Sequence, residues 1–148
     1  MTRLALRCVV LLLALLPVAA AQDAAEPLRP AAGFTYVDLW LEAGATTCAA
    51  WQIEFATEAG AVRLVGVEGG AGPWANAPYY DPAALRGGRV IVAGLSTADG
   101  LPAGRVRVAR LHLRVEAGEL PQYVAKLQAA SDSDGTRLDA SVDIVQGD

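Results

Sequence analysis

The sequence predicts an all-β protein, a single jelly-roll-type sandwich of about seven to nine strands with one short helical turn. Three observations predict it. Short runs rich in branched and aromatic residues alternate between apolar and polar positions along most of the chain. Glycine, proline, Asn and Asp turn signals separate those runs at regular intervals. A full set of helix start and stop signals occurs in one short segment, residues 81–87. A closed barrel is the alternative arrangement for the same strands.

Taken in order, residues 1–21 read as a secretory signal peptide. Arg3 and Arg7 form a basic start, an apolar run follows from Cys8 to Leu16, and Pro17 precedes the small residues 18–21. The run falls short of the roughly 20 apolar residues that a spanning helix needs, so an uncleaved anchor is the lesser reading. Cys8 precedes the apolar run, whereas a lipid-acceptor cysteine would follow it. No second hydrophobic span appears, so a secreted or periplasmic protein without a membrane span is expected once the signal is cleaved. Residues 22–33, rich in Ala, Pro and acids, read as a flexible leader. The domain proper is then 34–148.

Loss of Arg3 and Arg7 with the signal peptide takes the net charge from −4 to −6 over 127 remaining residues. An acidic chain without grouped Lys and Arg is a poor nucleic-acid binder. Only Cys48 remains after cleavage, which excludes an intrachain disulfide and leaves stability to an apolar core. Set among alanines, Cys48 reads as a small buried residue.

Residues 34–41 form the first predicted strand, with Val37, Leu39 and Leu41 on one side. Residues 51–56 alternate cleanly, Trp51, Ile53 and Phe55 inward and Gln52 and Glu54 outward. Residues 62–68 form a third strand burying Val62 and Leu64, with Val65 and Val67 as further candidates. An irregular stretch, 69–80, leads to Asp81-Pro82, an N-cap followed by a proline at the first helical position, with Gly87 beyond the end.

Residues 89–95 and 105–115 are the organising strands. The second changes phase: Val106 and Val108 share one register, Leu111, Leu113 and Val115 the other. A one-residue slip flips every side chain, so a bulge near Ala109-Arg110 is predicted to keep all five inward. Arg105, Arg107, Arg110, His112 and Arg114 then face solvent. Residues 119–130 fit either a helix or a strand, and Asp134-Gly135 favours a strand paired with 137–145 in a terminal hairpin.

Three stretches together resemble a cohesin-type module, of the fold group shared with several cellulose-binding sandwich domains. They are YVDLWLEAGATTCAAWQIEFA, VRLVGVEGG and RVIVAGLSTADGLPAGRVRVARLHLRV, which span Tyr36 to Val115. The family's Tyr-Asp-Pro step follows its second strand, whereas here Tyr80-Asp81-Pro82 follows the third. The resemblance implies a sandwich fold and a protein partner of dockerin-like kind.

No residue pattern demands a cofactor or an enzyme. His112, the only histidine, reads as an ordinary exposed side chain. Ser96 is one glycine short of a nucleophile elbow and starts a loop. The glycines of 66–72 lack the lysine and hydroxyl of a phosphate loop. Asp132, Asp134 and Asp139 lack the closing Glu of a calcium loop and read as a turn. Small-hydrolase chemistry has only unplaced carboxylates behind it.

The best functional candidate is the loop carrying Trp74, Asn76, Tyr79, Tyr80 and Asp81. Its rings offer apolar surface to a protein partner or a polysaccharide, and Asn76 and Asp81 offer hydrogen bonds. The competing expectation is that these rings fold back as a lid over the core. The sequence therefore points to a secreted, non-enzymatic binding module acting in protein–protein association, with polysaccharide binding as the alternative.

Overall fold

The computed structural model describes residues 31–147. The expected signal peptide and nearly all of the leader lie outside them. Eight strands form: β1 (Gly33–Glu42), β2 (Ala50–Ala59), β3 (Val62–Gly69), β4 (Tyr79–Tyr80), β5 (Arg89–Leu95), β6 (Arg105–Val115), β7 (Gln122–Ser131) and β8 (Ser141–Gln146). They make two four-stranded sheets, ordered β3-β6-β1-β8 and β4-β5-β2-β7, with every pairing antiparallel. This is an all-β sandwich of two separate sheets rather than a closed barrel. Two short 3-10 turns interrupt it, Gly72–Trp74 and Pro82–Arg86, one more than expected. Asp81 caps the second, its Oδ1 accepting a hydrogen bond from Ala83 N at 2.9 Å.

Only β4 and β5 are consecutive strands of one sheet; every other connection crosses the sandwich. Two residues carry the chain from β2 to β3. Gly60 makes that corner at φ +80, and a Cβ there would stand 2.9 Å from Pro121 Cα. The organising strands β5 and β6 thus face each other across the core. The terminal hairpin also gives way to a crossing. The turn at 132–136 forms, with Ser131 and Arg137 bridged, but β7 then stays in one sheet and β8 joins the other. The physical reason lies beyond the turn: both strands carry an inward apolar set, and opposite sheets bury both sets against each other.

The core follows side-chain parity. Val37, Leu39, Leu41, Ile53 and Phe55 are fully buried and Trp51 is nearly so. The bulge in β6 falls at Val108-Ala109, opposite the Leu39/Trp40 step, one residue before the expected place. Both Val108 and Ala109 are buried there, followed inward by Leu111, Leu113 and Val115, while Val106 is half-buried. A second bulge, between Leu64 and Gly66 in β3, turns Val65 outward. A third, between Gln52 and Ile53 of β2, falls at Gln128 of β7 and turns Ala130 rather than Ala129 inward.

Free strand edges invite pairing with other chains and are usually blunted. Here β4 is two residues long and sits between Pro78 and Pro82. At the other edge of its sheet, β7 carries Lys126 and its bulge. In this sheet the exposed face, rather than the edges, is left as contact surface.

Candidate binding surface around Tyr79

The parity of β5 decides which side chains emerge. Val90 and Val92 point inward and are buried, so Ile91, Ala93 and Leu95 stand on the outer face. β4 pairs Tyr79 with Ala93, which sets the Tyr79 ring on the same face. Tyr79 is 77 % exposed and Leu95 67 %. These two large apolar residues flank small Ala93.

The candidate loop residues divide sharply. Trp74 is buried, packed edge-on against Trp51 with ring centroids 5.8 Å apart. The 3-10 turn holds it there: Ala71 O accepts Trp74 N at 3.1 Å, and Ala71 N donates to Arg107 O at 2.8 Å on β6. Tyr80 points the other way from Tyr79 and packs partly against the core. Asn76 and Asp81 are exposed. Of the five, Asn76, Tyr79 and Asp81 stand at the surface, while Trp74 underlies it.

Two depressions share Tyr79 as their common ridge. A crevice of about 160 Å³ lies between residues 73–79 and residues 93–95, with Trp51 and Trp74 in its lining. No charged residue lines it. Gly94 makes it possible, because a Cβ there would stand 2.5 Å from the Trp51 indole. On the other side of Tyr79 lies an open groove of about 450 Å³, lined by Tyr80, Asp81, Arg89 and Ile91 among others. Arg89 is held over the sheet by a bidentate pair with Glu54 at 2.8 and 2.9 Å.

Sequence reasoning missed Leu95, Ile91 and Trp51. The signal for the first two was present: Ile91 and Leu95 share the parity of Arg89 and oppose Val90 and Val92. Trp51 carried none, since its role depends on Gly94 facing it across the β2–β5 pair.

The opposite sheet has a charged outer face, where Arg105, Arg107, Arg110, His112 and Arg114 lie as their parity predicts. Asp38, only 8 % exposed, receives two hydrogen bonds from Arg110 at 2.7 and 2.9 Å, and Arg107 stands 3.6 Å away. Burial pushes the Asp38 carboxyl upward, but the Arg110 hydrogen bonds and the charges of Arg110 and Arg107 outweigh it and hold the pKa below its ordinary value. The Arg110 guanidinium stacks 3.8 Å from the Tyr36 ring centroid, and Arg105 sits 5.2 Å over Trp40. His112 Nε2 is 3.2 Å from Glu68 Oε1, out of hydrogen-bond alignment. Asp38, Arg110, Arg107 and Tyr36 engage one another here, which marks a structural network.

A third depression, about 550 Å³, lies where the loops after β1, β5 and β7 meet. Ser96 and Asp132 line it, both engaged with local backbone: Ser96 Oγ accepts from Ala98 N, and Asp132 Oδ1 from Asp134 N and Thr136 N. Cys48 is buried and its thiol donates to Ala50 O at 3.2 Å. Burial raises its pKa, the reverse of what activates a nucleophile. Among the described residues no group of three His, Cys, Asp or Glu side chains is placed to hold a metal ion, and no helix is long and apolar enough to cross a membrane. Comparisons with protein-family models, curated proteins and solved structures give no match to this chain.

Proposed function

We propose that the chain is a secreted, non-enzymatic binding module that associates with a protein partner outside the cytoplasm, using the face around Tyr79. One observation carries this reading: Tyr79 and Leu95 project from a sheet face that also exposes part of Ile91, beside a crevice of uncharged walls. Exposed aromatics next to a pocket are the usual anchors of protein interfaces. The resemblance to cohesin modules supports the same reading and suggests a dockerin-like partner. Polysaccharide binding is less well supported, because burial of Trp74 leaves Tyr79 as the one strongly exposed ring of the loop, and sugar platforms gain from several coplanar rings.

The test is capture of a partner from envelope or secreted fractions on the immobilised protein, followed by titration with that partner purified. Tyr79→Ala and Leu95→Ser are each expected to weaken binding at least tenfold, as interface anchors do. Unchanged affinity in both variants removes this face from the proposal. Affinity electrophoresis on cellulose, xylan and chitin-type polymers decides the alternative: retardation abolished by Tyr79→Ala would favour polysaccharide.

A further inference from the structure

The walls of the small crevice carry two unpaired donors. Trp51 and Trp74 are 3 % and 4 % exposed, and neither indole Nε1–H has a hydrogen-bond acceptor among the described residues. A buried donor left unpaired is costly, so an acceptor brought to it gains more than a surface hydrogen bond would. The crevice volume, about 160 Å³, suits one small side chain. Its uncharged lining favours a neutral acceptor over a carboxylate, which would be desolvated without a cation.

We propose that this crevice and the adjoining groove bind an extended, proline-containing peptide segment of a partner protein. The inference rests on the protein-binding reading and specifies the partner's chemistry. A polyproline II segment has no internal hydrogen bonds, so its carbonyl oxygens are free acceptors. Such segments dock on aromatic-lined grooves at low entropic cost. Here the peptide crosses the Tyr79 ridge, seating one prolyl ring in the crevice with a carbonyl directed at the indole donors. The next residues run into the groove beside Asp81 and Arg89. Both indole nitrogens are closed off from solvent, so the peptide reaches them by parting residues 73–78 from Gly94.

Trp40 supplies an internal control. Its Nε1 also lacks an acceptor among the described residues, but it lies on the opposite sheet under Arg105. In ¹⁵N-labelled protein the three indole N–H resonances are assigned by through-space contacts, Trp51 through Gly94 and Trp74 through Trp51, which leaves the core unmutated. Titration with acetyl-hexaproline amide is expected to move the Trp51 or Trp74 resonance downfield and saturably, with Trp40 static. Tyr79→Ala should weaken that binding about tenfold. Static Trp51 and Trp74 resonances at millimolar peptide overturn the inference, as does equal movement of all three. Movement of the same two resonances by chitohexaose, with none by the peptide, also overturns it and assigns the crevice to an acetamido sugar. A purified protein partner that binds through Tyr79 while both indoles stay static overturns the peptide inference alone and leaves the protein-binding reading standing. A partner whose affinity ignores both Tyr79 and Leu95 overturns that reading instead.

Discussion

Replacement of Asp38 by Asn tests how far the charged face of the first sheet holds the sandwich together. Asp38 joins β1 to β6 through Arg110 and Arg107, and its side chain is 11 % exposed against 25 % for Arg110. Breaking a fully buried pair by removing one partner costs about 3–5 kcal/mol, whereas an exposed pair is worth about 0–1 kcal/mol. This pair lies between those limits and nearer the first, so D38N should lose about 2 kcal/mol, discounted for the solvent reaching Arg110. For a domain of this size that corresponds to a fall in Tm of about 8 °C. The pH dependence carries the sharper signature. The folded-state pKa of Asp38 lies below its ordinary 3.8, so the ionised carboxylate stabilises the fold fully above that value. The stabilisation is lost as pH falls through the lower, folded-state pKa. Urea unfolding of both proteins from pH 7 to pH 2 should give a constant gap down to about pH 4 that closes below it. A gap under about 0.5 kcal/mol at pH 7, the size of an ordinary surface change, or one that persists unchanged to pH 2, would refute the reasoning.

Two other expectations concern buried side chains. Gly94→Ala puts a methyl group into the Trp51 indole, which is boxed in by Trp74; denaturation should register a loss of about 1–3 kcal/mol, and wild-type stability would mean that the indole is free to move. In a Cys8→Ser background, Cys48 should resist a thiol reagent in the native protein and react fully in urea, because burial both shields it and raises its pKa; prompt native labelling would contradict that.

Much of the fold was legible because it depends on parity, a property of adjacent residues. Alternation in 51–56 placed Trp51, Ile53 and Phe55 inward without any knowledge of their partners. The phase change in 105–115 called for an extra residue, and Val108 supplies it. Where the reading slipped, the missing information was long-range. Asp134-Gly135 does turn the chain, yet a turn signal says nothing of which sheet receives the next strand. The candidate site divided in the same way. Tyr79 and Asp81 stand at the surface, whereas an aromatic loop residue such as Trp74 has no local feature that separates a lid from an anchor. Its burial follows from meeting Trp51.

The sequence by itself determined the all-β class, the longer strands with most of their inward sets, and the solvent-facing arginines, because the two-residue repeat of a strand is written locally. The tertiary structure decided which strands share a sheet, that β5 and β6 oppose each other, and that Gly94 lets an indole edge lie beneath an exposed tyrosine. Those depend on pairings between residues tens of positions apart, such as Trp51 with Gly94, selected by burial of all the apolar faces at once rather than by any one stretch of chain.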